Sequence, residues 1–76
     1  MSTILLIEDS MELAGVIRRE LQNAGHDVLY AGDGLTGMEL FMREEPDLVI
    51  LDWMLPGLDG LEVLRRIREA SALPVL

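Results

Sequence analysis

Two short apolar runs, each ending on acidic residues, constrain most strongly what this chain can fold into. The first run, at residues 4–7, is followed by Glu8 and Asp9, and the second, at residues 48–51, is followed by Asp52. Neither run alternates apolar with polar residues, which is the pattern of strands buried on both faces of a parallel sheet. Parallel strands need long, usually helical, connections, so the two runs predict an α/β domain.

Three helices are predicted between and after the strands, each introduced by a residue that can cap its first turn. The candidate caps are Asp9 or Ser10, Asp33 and Asp59, and the predicted ends of the first two helices are Gly25 and Pro46. Apolar residues recur at three- and four-residue steps, which predicts one inward face per helix. The residues expected there are Leu13, Ala14, Ile17, Leu21 and Ala24, then Leu35, Met38, Phe41 and Met42, then Leu61, Leu64 and Ile67.

The order of the elements limits the layout of the sheet. A short strand pattern, HDVLYA at residues 26–31, lies between the first two helices, and LPVL at residues 73–76 begins a fourth strand. If the second strand lies beside the first and the third returns to its other side, the strand order is 2-1-3, and right-handed crossovers then set the face that each helix covers. The first helix then covers one face of the sheet, and the second and third helices cover the other.

Composition and charge exclude several classes of function. The 76 residues suffice for one small domain, and no apolar run approaches the roughly 20 residues of a membrane span. Fourteen acidic against six basic residues give a net charge of −8, the wrong sign for binding a phosphate backbone. With no cysteine and no secretory signal, we expect a soluble cytoplasmic protein that binds neither nucleic acid nor membrane through this segment. The arginines are interpreted as solvated helix faces, His26 as a loop residue and the five methionines as core filling.

Acidic residues end two neighbouring strands of the predicted sheet. Ligands of open α/β sheets bind outside the carboxyl ends of the strands, where the strand order reverses. Glu8, Asp9 and Asp52 should meet there, and each like-charge pair at about 5 Å costs on the order of 3 kcal/mol. Capping and strand termination would explain each acid singly, but not their joint placement. A hard cation such as Mg²⁺ relieves the repulsion, and Asp52 is then a plausible carboxylate nucleophile toward a phosphoryl group.

The whole chain resembles the N-terminal part of a response-regulator receiver domain of bacterial two-component signalling. The resemblance is carried by ILLIEDS at residues 4–10, DLVILDWMLPGLDG at residues 47–60 and GLEVLRRIRE at residues 60–69. It implies a flavodoxin-like, doubly wound parallel sheet. The last motif is most similar to the OmpR-type subfamily, whose receivers precede a winged-helix DNA-binding domain.

The resemblance also implies roles for individual residues. Asp52 would be the phosphoacceptor, with Asp9 and Asp52 as direct Mg²⁺ ligands and Glu8 as an outer ligand through water. Met54 would contribute its backbone carbonyl to the metal, and Pro56 and Gly57 would shape the neighbouring loop. The phosphoryl donor would be a phosphohistidine on a sensor histidine kinase or a phosphotransfer protein, whose helices dock against the first helix.

Receiver domains continue beyond a fourth strand, so we expect residues 1–76 to form a partial receiver domain without the C-terminal strands and helices. On this interpretation the third strand lies at the edge of the sheet, and chains self-associate through it or by pairing LPVL between copies. The alternative is an inert or oligomerising fragment with a vestigial acidic metal site. Nucleases and phosphatases with strand-end acids would need a second aspartate, but Trp53 and Met54 follow Asp52, so a conventional enzyme is not expected.

Overall fold

The computed structural model describes residues 2–55 and 58–76, in which three strands alternate with three helices. The strands are β1 (Thr3–Ile7), β2 (Asp27–Ala31) and β3 (Leu48–Leu51), and the helices are α1 (Met11–Asn23), α2 (Gly34–Glu44) and α3 (Gly60–Ala70). The predicted α/β alternation is confirmed. No helix of the described residues is both long and apolar enough to cross a membrane. The predicted loop role of Pro56 and Gly57 lies outside the described residues.

The strands form a parallel sheet in the predicted order, β2-β1-β3. Ile4 pairs with Val28 of β2 on one side and with Leu48 of β3 on the other, so β1 is the central strand. All four residues of its apolar run are buried, at 0 to 2% exposure. A strand with covered faces on both sides is the structure that an uninterrupted apolar run predicts.

The main core lies between the sheet and two of the helices. Leu5 and Ile7 of β1 pack in one cluster with Phe41 of α2 and with Val63 and Ile67 of α3. Side chains alternate along a strand, so the buried Ile4 and Leu6 face the other side of the sheet, where α1 is the one remaining helix among the described residues. The structure therefore has the layered arrangement of a doubly wound fold.

The strand β3 is the outermost strand of the three-stranded sheet, as predicted, but its outer side is not left open. Val49 pairs in parallel with Val75, and the Leu51 N–H donates to the Leu76 carbonyl oxygen at 2.8 Å. The chain returns after α3 and places Pro74–Leu76 along the outer side of β3, which satisfies backbone groups that an edge would leave open. The segment LPVL thus pairs within its own chain, and self-association between copies stays a prediction.

The helix caps agree with the sequence. Ser10, rather than Asp9, caps α1, and Asp33 and Asp59 cap α2 and α3. The side chain of each cap accepts the backbone N–H of the residue three positions later. Gly25, with φ of 93°, follows the end of α1 as expected for a terminating glycine. The helix α2 ends just before Pro46, through a left-handed residue at Glu45.

The predicted inward faces are only partly correct. Ala14, Phe41 and Ile67 are buried, whereas Leu13, Leu35, Met42 and Leu61 are exposed. The three strands offer a narrow surface, so each helix buries a narrow stripe, and in α2 that stripe consists of Gly34 and Gly37 together with Phe41. The assignment of the methionines to the core is also wrong for Met11, Met42 and Met54, which are exposed.

Gly37 allows α2 to lie close against the central strand. A Cβ added there would lie 2.6 Å from Cδ1 and 3.0 Å from Cγ1 of Ile7, a side chain with no exposed surface. We expect Gly37→Ala to lower the free energy of unfolding by about 1–3 kcal/mol, because overpacking outweighs the gain in helix propensity. Chemical denaturation measures this change.

Gly15 of α1 provides the matched control. A Cβ added at Gly15 meets nothing within 4 Å. Gly15→Ala should therefore raise the free energy of unfolding by up to about 1 kcal/mol through helix propensity alone. Equal effects of the two substitutions would contradict the close packing of α2 on β1.

Candidate metal centre

Strand pairing brings three carboxylates to one edge of the sheet. Glu8, Asp9 and Asp52 each offer one carboxylate oxygen, and these oxygens all lie within 4.8 Å of one another. The backbone pairing continues past the strand ends, since the Glu8 N–H donates to the Ala31 carbonyl at 3.0 Å and the Asp52 N–H to the Ile7 carbonyl at 2.9 Å. The ladder therefore holds the backbones of Glu8 and Asp52 in place, and the three acids meet at the edge where the sequence predicts them.

The three carboxylates differ in exposure. Glu8 is buried, Asp52 is half-buried and Asp9 is exposed. Burial raises the pKa of the Glu8 carboxyl above its ordinary value and the Asp52 charge acts in the same direction, while the Ser10 N–H bonded to Oε2 at 3.1 Å acts against them. The site is thus a cluster of like charges in which ionisation is least favourable at the buried Glu8.

The loop that carries Asp52 is fixed at both ends. Asp52 Oδ1 accepts the Met54 N–H at 3.1 Å, and the Trp53 carbonyl accepts the Gly60 N–H at 3.3 Å. A Cβ on Gly60 would lie 2.6 Å from the Asp52 carbonyl oxygen, so α3 begins in direct contact with the backbone of the acidic residue. The side chains of Trp53 and Met54 are exposed. The predicted metal contact through the Met54 carbonyl stays a prediction.

The donor set fits a hard divalent cation. Oxygens on opposite sides of an octahedral Mg²⁺ are about 4.2 Å apart, since each Mg–O distance is about 2.1 Å. Three carboxylate oxygens within 4.8 Å can therefore supply two direct ligands and one ligand through water with small adjustments. The chain has no cysteine, and His26 precedes β2 at the opposite end of the sheet, where its Nδ1 accepts the Ser2 N–H at 3.4 Å.

Two of the three arginines of α3 are paired with glutamates of their own helix, and the third, Arg68, donates to the Leu73 carbonyl oxygen at 2.6 Å. Arg65 contacts Glu62 and Glu69, and Arg66 contacts Glu62. Hydrogen bonds from the two arginines lower the pKa of Glu62 to about 2. Their side chains are exposed, which agrees with their interpretation as a solvated helix face.

One hydrogen bond beside the acids was not predicted from the sequence. The Tyr30 hydroxyl donates to the Glu8 backbone carbonyl at 2.9 Å, from the neighbouring strand. Its only sequence signal is a polar aromatic residue next to the end of β2, which is also a common residue in strands. The register between β1 and β2 brings the two groups together, because Tyr30 pairs with Leu6, two residues before Glu8.

Comparison with known proteins agrees with this geometry. Residues 4–76 match the family described as the response regulator receiver domain, and the chain belongs to that family. It is 43% identical to the transcriptional regulatory protein AfsQ1 of Streptomyces coelicolor over all of its 76 residues, which are 34% of that protein.

Solved receiver domains have the same fold. The BeF3-activated receiver domain of Klebsiella pneumoniae RstA is 37% identical, with a TM-score of 0.92 over 96% of this chain and 62% of that one. A chain in the complex of histidine kinase ThkA with response regulator protein TrrA is 33% identical, with a TM-score of 0.91 over 99% of this chain and 66% of that one. The chain therefore spans about a third of its curated relative and less than two thirds of these solved chains.

The pKa of Glu8 leads to a prediction about pH and stability. Because the folded-state pKa lies above the ordinary 4.5, the ionised carboxylate destabilises the fold at pH 7 when no cation is present. Glu8→Gln, which keeps an oxygen for the Ser10 N–H, should raise the free energy of unfolding at pH 7 in metal-free buffer. The gain should shrink as the pH falls through the raised pKa and vanish below about 4.5, where wild type and variant are both neutral.

Denaturation from pH 3 to pH 8 in the presence of a chelator measures this difference. The exposed Glu39 of α2 supplies the control, since Glu39→Gln should change stability by less than about 0.5 kcal/mol throughout. A Glu8→Gln variant less stable than wild type at pH 7 would show that the ionised carboxylate is not under repulsion.

Proposed function

We propose that this chain is the phosphoacceptor part of a response regulator, taking a phosphoryl group onto Asp52 from a phosphohistidine. The observation that carries the proposal is the placement of three carboxylates within 4.8 Å at the ends of two adjacent strands. Membership of the receiver family supports it. The donor is a sensor histidine kinase or a phosphotransfer protein.

Exposure and hydrogen bonding favour Asp52 as the acceptor among the three acids. Glu8 is buried, and its Oε2 accepts the Ser10 N–H. Asp52 is half-buried with Oδ1 held by the Met54 N–H, which orients the carboxylate and leaves Oδ2 for the reaction. Asp9 is exposed at the start of the turn into α1 and serves as a ligand rather than as the acceptor.

The transfer forms one bond and breaks one. Asp52 Oδ2 forms the new O–P bond while the P–N bond to the donor histidine breaks, and the histidine ring nitrogen keeps the electron pair of that bond. When bound, Mg²⁺ supplies positive charge that offsets the carboxylates and the phosphoryl oxygens. Asp9 and Asp52 would hold it directly, Glu8 through water, and Met54 through its backbone carbonyl.

Exposed apolar residues of α1 support a helical protein partner. Met11, Leu13 and Val16 are exposed, and of these Leu13 and Val16, three residues apart, are neighbours on the helix surface. A kinase helix docked on α1 would bring its phosphohistidine to the acidic edge of the sheet. The likeness to a chain of a kinase–regulator complex supports this partner.

The wider role follows from the same proposal. We infer that residues 1–76 act as part of a cytoplasmic receiver domain, which controls an output module and is not a conventional enzyme. The likeness to a transcriptional regulatory protein favours transcription as the output.

Incubation with acetyl phosphate and Mg²⁺, followed by intact mass spectrometry, tests the acceptor directly. We expect one added phosphoryl group on wild type and none on Asp52→Asn. Asp59→Asn is the matched control, because asparagine caps a helix as well as aspartate and Asp59 is not one of the three clustered acids. It should be modified like wild type.

The same experiment separates the proposal from its alternative. A folded wild type that stays unmodified by acetyl phosphate would favour an inert or oligomerising fragment, and sedimentation at micromolar concentration would then decide whether copies associate.

Trp53 offers a direct probe of metal binding. It follows Asp52, is half-exposed, and is the only tryptophan of the chain. We expect its fluorescence to change on titration with millimolar Mg²⁺. Asp9→Asn should raise the half-saturating concentration by at least about 10-fold, because losing a direct ligand costs no less than losing an outer-shell partner. An unchanged signal in wild type, with folding verified by circular dichroism, would contradict an intact metal site.

A further inference from the structure

Tyr30 joins β2 to the acidic cluster through the backbone rather than through a carboxylate. Its hydroxyl donates to the carbonyl oxygen of Glu8 at 2.9 Å. This carbonyl belongs to the planar peptide unit that links Glu8 to Asp9. The hydrogen bond therefore fixes the orientation of the peptide that joins the two acidic residues. Glu8 is buried, and a backbone carbonyl in such a place needs a partner.

The end of the β1–β2 ladder explains why a side chain supplies that partner. The Glu8 N–H donates to the Ala31 carbonyl at 3.0 Å. In a regular parallel ladder the Glu8 carbonyl would then accept the N–H two residues beyond Ala31, which is that of Asp33. However, β2 ends at Ala31, and Asp33 is already the N-cap of α2. The Tyr30 hydroxyl therefore supplies the hydrogen bond that the next backbone N–H of the ladder would otherwise donate to the Glu8 carbonyl.

Gly32 leaves the room that this hydroxyl occupies. A Cβ added at Gly32 would lie 3.2 Å from the Tyr30 hydroxyl oxygen and 3.8 Å from Cζ. Gly25 is the one glycine with positive φ among the described residues, so a side chain at position 32 would act by this contact rather than by backbone strain. The contact falls on the hydroxyl, whereas the ring carbon is at an ordinary distance.

We propose that Tyr30 is a positioning residue for the acidic cluster, and that its hydroxyl sets the Glu8–Asp9 peptide so that both carboxylates suit a divalent cation. This inference rests on the proposed role of the acids in binding Mg²⁺. Tyr30 itself touches neither the cation nor the phosphoryl group. Its contribution therefore shows as a change in metal affinity.

The test measures the Kd for Mg²⁺ by Trp53 fluorescence and by isothermal titration calorimetry. Tyr30→Phe removes only the hydroxyl, and we expect the Kd to rise about 3- to 10-fold, at or below the lower end of the loss seen for outer-shell partners of metal ligands. Thr36→Val is the matched control. It also removes one hydroxyl hydrogen bond near this edge, to Asp33 Oδ2, but does not contact Glu8, so its Kd should stay at the wild-type value.

A second pair of variants separates positioning from general loss of stability. Gly32→Ala should raise the Kd in wild type, because its Cβ displaces the hydroxyl, and should have no further effect on the Tyr30→Phe background. This non-additivity in metal affinity is a signature that simple destabilisation of the fold does not produce.

Each outcome decides a different question. A wild type that binds no Mg²⁺ overturns the proposed metal site together with the positioning role. A wild type that binds Mg²⁺ with the same Kd as Tyr30→Phe overturns the positioning role alone. Independent, additive effects of Gly32→Ala and Tyr30→Phe would likewise overturn it.

Discussion

Repulsion among three carboxylates at one edge of a parallel sheet is the constraint on which the structure depends. Like charges a few ångströms apart repel, and at the buried Glu8 desolvation together with the Asp52 charge raises the pKa of the carboxyl. The acids cannot move apart freely, because Glu8 and Asp52 continue the hydrogen bonding of β1 to its two neighbours. Burial of the central strand supplies the opposing free energy.

The orientation of the helix dipoles opposes the repulsion among the carboxylates. In a fold where each strand leads into a helix, all helix N-termini lie at the edge where the strands end, and that edge is the acidic one. The positive ends of the helix dipoles therefore lie toward the negative cluster. Gly37 and Gly60 let α2 and α3 lie close to the sheet, because side chains there would collide with Ile7 and with the Asp52 backbone.

The sequence was sufficient to predict the order of the elements, because this order follows from apolar runs and caps. The strand order and the meeting of the acids needed in addition the assumption that the third strand returns to the other side of the first, which the resemblance to receiver domains supports. The sequence was less informative about which helix residues face the sheet and about what covers the outer side of β3. Leu13 and Leu61 fit a helical stripe but fall outside the narrow surface that a small sheet covers. The pairing of Val75 with Val49 depends on where the chain returns after α3, which no local pattern specifies. The Tyr30 bond depends on register between strands and could not be seen from residue types.

Ser10 belongs to two parts of the molecule at once. Its side chain accepts the Leu13 N–H and starts α1, while its own N–H holds the Glu8 carboxylate. A shift of α1 along its axis would stretch the hydrogen bond from the Ser10 N–H to the Glu8 carboxylate. The first turn of α1 and the Glu8 side chain are therefore expected to move together. If binding of a partner at α1 changes the affinity for a cation, thermodynamic reciprocity requires the cation to change the affinity for that partner by the same factor. The residue that starts the helix is thus also the residue that holds the buried carboxylate.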